Sequence, residues 1–436
     1  MVQIKKTIFF ISIMSIWGAD LFAGVNKDIN DLKNEINNIK SSYEERITNL
    51  EEKLNKQNSN SITNIRNIYD NQFNPSNGVI LNGKYSNFSK ESSEIAGFAI
   101  GEEGKREKEG FSIYESELNF SSNIDDKFFG SMTAAIVRED GEDKIELEES
   151  FIQTTPGFGL PTGLAFKAGR AFWTLGYLNE QHVHSGDFAE RPLSYRAFLN
   201  KAFNDDGVQI SYLLPTDFYT EIGSGLFRGD DFPFNGGDGT GNYSAYFRIG
   251  SDIGERQNWR IGGYLLSGEA KSGRVTNEDT ITFIGDMDLY VADLKYHFAP
   301  TGNAKNQELT LQGEYFYRNE KGTYEDTEIG SGKVNFDDNS SGWYLQTVYK
   351  FKPQWRIGLR YSELLSADMP AGLSGSILDA KGYNPKSYST MIDWTNSEFS
   401  RIRLQYNHEE LSQNNHDNQI ILQYVMSFGA HPAHKY

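Results

Sequence analysis

Cysteine is absent from the 436 residues. That excludes disulfides and thiolate chemistry, so an exported form of the chain must take its stability from elsewhere. Proline is scarce, at 11 residues. A net positive charge is also missing: the formal charge is −18. The acidic balance argues against a nucleic-acid partner, which needs basic stripes. With a mean hydropathy of −0.57, no long apolar helix dominates the chain. No GxxxxGK[ST], HExxH or GxSxG pattern occurs, and no paired catalytic carboxylates stand out, so the sequence does not read as an enzyme. What is abundant is Gly (42), Phe (29) and Tyr (24), a β-rich profile.

The N-terminus has the order of a secretory signal. Lys5-Lys6 precedes the apolar run Thr7–Trp17, and Gly18 to Ala23 supplies small residues. The apolar run is too short for a comfortable membrane-spanning helix. Residues 1–23 are therefore expected to be a signal peptide cleaved after Ala23.

A heptad follows, and residues 24–60 are expected to form a periplasmic coiled coil. Ile29, Leu32, Ile36, Ile39 and Tyr43 recur at alternating steps of three and four, and Ile47, Leu50 and Leu54 resume after a stutter. Ile at both seam positions favours three or more strands, which points to a homotrimer. The Asn/Ser-rich residues 61–78 read as a linker.

From residue 79 the chain becomes a series of short alternating segments. Ile402, Leu404 and Tyr406 alternate with Arg401, Arg403 and Gln405. Trp355, Ile357, Leu359 and Tyr361 alternate with Arg356, Gly358 and Arg360. Ile420, Leu422, Tyr424, Met426 and Phe428 form one unbroken apolar face. Strands of about ten residues with aromatic ends and Arg or Gly on the polar face fit a membrane barrel. In that fold the apolar face meets lipid, and closure leaves no unpaired strand edge. The spacing predicts strands near 79–88, 111–121, 127–137, 144–153, 163–172, 207–214, 218–228 and 242–252. Others are predicted near 257–267, 287–298, 307–319, 341–351, 354–364, 386–396, 399–409 and 418–428. Short connections alternate with longer ones such as 89–110, 268–286, 320–340 and 365–385, as periplasmic turns and external loops do.

Residues 193–203 also look strand-like and would make seventeen. Barrels of this kind have an even number of strands, and the direction of the flanking strands allows only one external connection between 163–172 and 207–214. The expected fold is therefore an all-β transmembrane barrel of 16 antiparallel strands over residues 79–436. Its third external loop, 173–206, folds inward.

This order resembles the trimeric outer-membrane porins with N-terminal periplasmic coiled coils, of the phosphate-selective porin O/P and dicarboxylate-porin type. Ala189-Glu190-Arg191-Pro192-Leu193 through Gly207-Val208-Gln209-Ile210-Ser211-Tyr212 looks like their third loop and following strand. The resemblance implies a passive pore in the lipid bilayer of the bacterial outer membrane. A narrower resemblance runs from Leu178-Asn179-Glu180-Gln181-His182-Val183-His184 and Gly429-Ala430-His431-Pro432-Ala433-His434 to barrel proteins labelled zinc-regulated, TonB-dependent receptors. That one implies metal or ligand uptake. True TonB-dependent receptors carry a plug ahead of 22 strands, and about 350 residues would leave roughly 16 per strand.

Two sets of residues carry candidate chemistry. Arg248, Arg260, Lys295, Arg318, Lys350, Arg356, Arg360, Arg401 and Arg403 fall on the polar faces of the later strands, against Glu221, Asp293, Glu314 and Asp393. This basic wall predicts an anion preference unless ion pairs consume it. Glu115, Glu117, Glu146 and Glu148 form an acidic patch on the early strands. In the third loop, Arg191, Arg196, Lys201, Glu190 and Asp187 are expected at the constriction. His182 and His184, completed by Glu180, Asp187 or Glu190, have the ligand types of a zinc, nickel or copper site; no other cofactor is expected. The acidic glycine-rich runs near Asp205-Asp206 and Gly229–Gly239 are weaker candidates for calcium.

The function expected is passive diffusion of small hydrophilic solutes, with an anion preference. The alternatives are a metal-uptake receptor and a structural tether acting through the coiled coil.

Overall fold

The structure, a computed structural model, describes residue 40 and residues 75–429 except 140–141, 156–158 and 237–238. The signal peptide, nearly all of the coiled coil and linker, and His431 and His434 lie outside the described residues. The barrel starts slightly before the expected boundary, at Ser76.

Among the described residues, seventeen strands form one antiparallel sheet. They are β1 (Ser76–Phe88), β2 (Gly110–Ile113), β3 (Ser116–Asn123), β4 (Phe128–Glu139), β5 (Glu142–Thr154) and β6 (Leu164–Phe172), then β7 (Asn204–Leu213), β8 (Tyr219–Phe227), β9 (Asn242–Ile253), β10 (Gln257–Thr276), β11 (Ile281–Phe298) and β12 (Glu308–Asp326). The last five are β13 (Val334–Lys352), β14 (Trp355–Leu365), β15 (Lys386–Ser397), β16 (Ser400–Ser412) and β17 (Asn415–Gly429). From β3 onward each strand pairs with the next, and β17 returns to β1 over Gly78↔Gly429 to Phe88↔Gln419, closing the barrel. Both β2 and β3 pair with β1, so they are halves of one wall strand, and the wall has sixteen. The strand is interrupted at Tyr114-Glu115, where Glu115 takes a positive φ of 37°.

Burial is inverted relative to a soluble sandwich. On β17, Ile420, Leu422, Tyr424, Met426 and Phe428 are exposed, whereas Asp417, Gln419 and Gln423 are buried. Ile402, Leu404 and Tyr406 on β16 and Trp355, Ile357 and Leu359 on β14 are likewise exposed. An apolar outer face with polar residues turned inward is what a lipid surround requires.

The predicted external loops 268–286 and 320–340 are corrected. Strands β10 to β13 run for 18 to 20 residues, far beyond the ten or so needed to span. The outward face of β12 carries Tyr315 and Tyr317, then Asn319 and the exposed Lys321. Past the membrane the apolar side turns inward instead: Phe283, Tyr324 and Phe336 are buried together with Leu373 and Leu378. Along β11–β13 the period of two continues while the sense of the amphipathicity reverses, and β10 shifts register between Ala270 and Arg274, which hid these strand extensions.

Residues 193–203 are not strand. Leu193–Leu199 is a short helix, α1. Pro192 precedes it in an extended conformation and its carbonyl accepts the first helical amides, Tyr195 (3.0 Å) and Arg196 (3.3 Å). Asn200, at φ 62°, ends it. Every residue of α1 is buried, packed on the lumen face of β12, β13 and β14.

Candidate functional site

The connection between β6 and β7 lies inside the barrel, as its contacts with lumen-facing side chains from β1 round to β16 show. Its ends are tied first. Asn179, wholly buried, donates to the carbonyls of Trp173 (2.7 Å) and Phe203 (2.9 Å) and accepts from the Phe203 amide (2.6 Å). The Trp173 indole donates to the Asp205 carbonyl at 2.8 Å.

An apolar layer follows. Tyr195 and Phe198 of α1 pack on Phe316, at ring-centroid distances of 5.1 and 5.8 Å, and join Tyr344 and Leu364 in one cluster. A Cβ on Gly342 of the wall would lie 2.9 Å from the Phe198 ring, so the missing side chain makes room for α1. Residues of the 89–109 connection enter the same layer. Phe98 meets Phe198 edge-on at 5.6 Å, and the Gly104 amide donates to Asn200 Oδ1 at 2.5 Å. Burying each large side chain of this kind contributes about 1.5–3 kcal/mol. Beside β12–β14 the lumen is therefore filled and apolar.

Loop groups meet the residues of the basic wall. Asp187 accepts from Arg356 at 2.8 Å, and Asp393 takes two further bonds from the same guanidinium at 2.6 and 3.0 Å. Arg360 donates to the Glu190 carbonyl (2.8 Å), Arg403 to the Gly186 carbonyl (2.8 Å), and Arg401 to the His184 carbonyl. Arg248 pairs with Glu180, and Lys295 donates to Tyr177 Oη. Arg260 is held by Asp293 at 2.8 Å and Arg318 by Glu320 at 3.4 Å. Glu314, buried on β12, accepts from Tyr195 Oη (2.8 Å), Tyr344 Oη (2.7 Å) and the Leu178 amide (3.0 Å).

The expected constriction residues are likewise engaged. Glu190 pairs with Lys84 of β1 at 2.6 Å, Arg196 with Glu409 at 3.1 Å, and Lys201 with Glu115. Arg191 donates to the Gln181 carbonyl and lies 5.5 Å from the Tyr195 ring. These residues brace the loop against the wall and are not a row of unpaired cations facing a solute.

His182 and His184 meet neither Glu180, Asp187 nor Glu190. Those three carboxylates are taken by Arg248, Arg356 and Lys84, and the histidines turn instead to the early strands. His182 Nδ1 lies 3.2 Å from both Glu117 Oε1 and Glu148 Oε2, and its Nε2 lies 3.1 Å from Glu149 Oε2. His184 Nδ1 lies 2.7 Å from Glu117 Oε1. Burial favours the neutral ring of His182. The Glu117 charge and the bonds from Glu117, Glu148 and Glu149 outweigh it and hold its pKa well above the usual imidazole range. For His184 burial prevails over Glu117, and the pKa is lowered.

Two of these acids, Glu117 and Glu148, belong to the predicted early-strand patch. Glu149 was missed for a local reason. The β4–β5 register shifts between Thr133 and Ala134, so Glu148 is an extra residue and both glutamates can serve the lumen side. The adjacent pair Glu148-Glu149 in an otherwise alternating strand is the signal that marks such a bulge.

Of the calcium candidates, Asp205 accepts from the Gly229 amide at 2.7 Å, Asp206 pairs with Arg170 at 2.7 Å, and Asp230 pairs with Arg228 at 2.5 Å. A second histidine group lies outward at the external hairpin, where His408, Glu410 and His416 bring one donor atom each within 4.8 Å of one another.

No family model matches the chain. An uncharacterized protein of Aquifex aeolicus (strain VF5) is 28% identical over 353 residues, which cover 76% of this chain and 71% of that one. Among solved structures, the outer membrane channel DcaP of Acinetobacter baumannii aligns with a TM-score of 0.51 at 13% identity, over 81% of this chain and 96% of DcaP. The anion-selective porin from Comamonas acidovorans aligns over 81% of this chain and 99% of its own at 9% identity, with a TM-score of 0.47. Sequence likeness this low speaks to fold alone, and the fold shared with DcaP is a closed antiparallel β-barrel.

Proposed function

We propose that the protein is a passive diffusion channel of the bacterial outer membrane for small hydrophilic solutes. One observation carries the reading: a closed barrel, apolar outside and charged inside, holds its own β6–β7 connection within the lumen. A scaffold built only for anchoring does not require a loop threaded among buried charges, whereas a filter does. No bond is made or broken; passage is set by how the loop is held and by the charge around it.

The anion preference belongs to this proposal in a weakened form. Most of the wall cations named above are met by loop carbonyls or carboxylates, so selectivity follows the balance left over, not the count of arginines. Trimer assembly through the heptads of residues 28–57 completes the reading, supported by isoleucine at both seam positions.

Reconstitution in planar bilayers tests it. Stepwise ion conductance is expected, with a reversal potential in a salt gradient that mildly favours anions. A purified, folded barrel that inserts and gives no conductance steps would overturn the channel reading. Deleting residues 28–57 should weaken the trimer seen by crosslinking in detergent, and unchanged trimers would remove the coiled coil from assembly.

A further inference from the structure

The group of Glu117, His182 and His184, with Glu148 and Glu149 beside it, has more order than packing alone requires. It draws two imidazoles from one loop and carboxylates from two wall strands. Glu117 Oε1 is shared, at 3.2 Å from His182 Nδ1 and 2.7 Å from His184 Nδ1, and Glu148 Oε2 adds a fourth donor 3.2 Å from His182 Nδ1. One donor atom each from Glu117, His182 and His184 falls within 4.8 Å of the others. A tetrahedral ion with bonds of about 2.0–2.1 Å has donor–donor edges of about 3.3–3.4 Å, so small rotations of these side chains suffice to enclose one.

The chemistry of the donor set also narrows the ligand. Two imidazole nitrogens with carboxylate oxygens suit a borderline first-row ion, zinc above all, and suit calcium or magnesium poorly. The site has a dry base and a wetter mouth: the side chains of Glu117 and His184 are each 2% exposed, those of His182, Glu148 and Glu149 10–14%. Its charge surroundings leave room for a cation. Two positive groups lie close by: Lys167, which sits over the Phe151 ring at 4.0 Å and acts on Glu149, and Arg401, whose guanidinium donates to the His184 carbonyl.

We propose that Glu117, His182 and His184, with Glu148 as the fourth ligand, bind a divalent zinc-type ion that fastens the lumen loop to β3 and β5. Without the ion, the same side chains hold one another through protons, and binding the ion displaces the proton shared between His182 and its carboxylates. The ion is a clamp on the loop at His182 and His184, while Glu314 holds Leu178 and Tyr195 through hydrogen bonds and α1 is held by packing.

The test uses the full-length protein, folded in detergent and stripped with a chelator. Zinc is titrated against a chromophoric competitor. Wild type is expected to take up one tightly bound zinc, and the double substitution His182→Ala/His184→Ala to weaken that affinity at least tenfold. Glu117→Gln should weaken it too. His408→Ala/His416→Ala, which removes the exposed external group, should leave it unchanged. Equal affinity in wild type and the His182→Ala/His184→Ala protein would overturn the proposal, as would loss of the tight zinc in His408→Ala/His416→Ala.

A second measurement needs no variant. Cobalt added to wild type should give the strong visible absorption of a tetrahedral site, and only the weak spectrum of hexa-aqua cobalt would also overturn it. Neither readout depends on ion current, so their failure would leave the channel reading standing.

Discussion

Two stretches of the lumen wall solve the same problem in different ways. Along β12–β16, buried arginines and a buried glutamate meet the loop through carbonyls, hydroxyls and fixed carboxylates. Along β3–β5, three glutamates converge on two histidines. The arginines of the first arrangement keep their charge at any ordinary pH, because guanidinium does not deprotonate. The second depends on what sits between imidazole and carboxylate, a proton or a metal ion. The loop is thus held by fixed contacts on the β12–β16 side of the lumen and by exchangeable ones on the β3–β5 side. The wall's inward charge does not announce selectivity by itself, since the same arginine can select a passing anion or bind a loop carbonyl.

The comparison breaks most severely at Glu314. Glu314→Ala leaves two tyrosine hydroxyls and the Leu178 amide without their acceptor. At about 1–3 kcal/mol for each buried unsatisfied group, loop docking should lose on the order of 3 kcal/mol or more. The expected result is a marked rise in single-channel conductance with the wall still folded, as judged by heat-modifiable migration in gels. Unchanged conductance would show that the apolar layer alone holds α1.

Gly176→Ala should act in the same direction with a smaller effect. Gly176 has φ +80°, and a Cβ there would collide with the Glu314 carboxylate. Strain of this kind costs about 1–3 kcal/mol, read as a higher or noisier conductance. Wild-type behaviour would place the Gly176 contact outside the loop's anchoring.

On the histidine side, Glu148→Gln should cost about 1 kcal/mol, because Glu117 and Glu149 still hold His182. Limited proteolysis of the loop is the readout. If this variant releases the loop as fully as Glu314→Ala does, the division into a permanent and an exchangeable side fails.

Arg356→Gln sharpens the charge argument. It leaves Asp187 and Asp393 without their shared cation, so the reversal potential should move towards cation preference. An unmoved potential would mean that solutes pass elsewhere in the lumen. Lys321→Ala is expected to change least. Its partner Asp337 and it are both well exposed, and such surface pairs contribute about 0–1 kcal/mol; conductance and thermal stability should stay at wild-type values.

Much of this molecule was legible without coordinates. Alternation over Arg401–Tyr406, Trp355–Tyr361 and Ile420–Phe428 determined the strands, because one face must meet lipid and the other must not. Parity and the short turns determined a wall of sixteen strands and removed 193–203 from it. The same periodicity placed each arginine of the basic wall on the lumen side.

Three things needed the tertiary structure. Whether 193–203 is strand or helix turned on Pro192, Asn200 and the apolar space beside Gly342, none of which a period of two detects. The lengths of β11–β13 were hidden because apolar and polar faces exchange sides once the strands leave the lipid, and that of β10 by its register shift. The partners of His182 and His184 were decided by a bulge at Glu148 and by a loop crossing the lumen to residues such as Glu117, 65 and 67 positions away in the chain. Local pattern fixes which way a side chain faces, because the backbone repeat is local. Which charges meet inside a closed barrel is set by how the chain folds back across it.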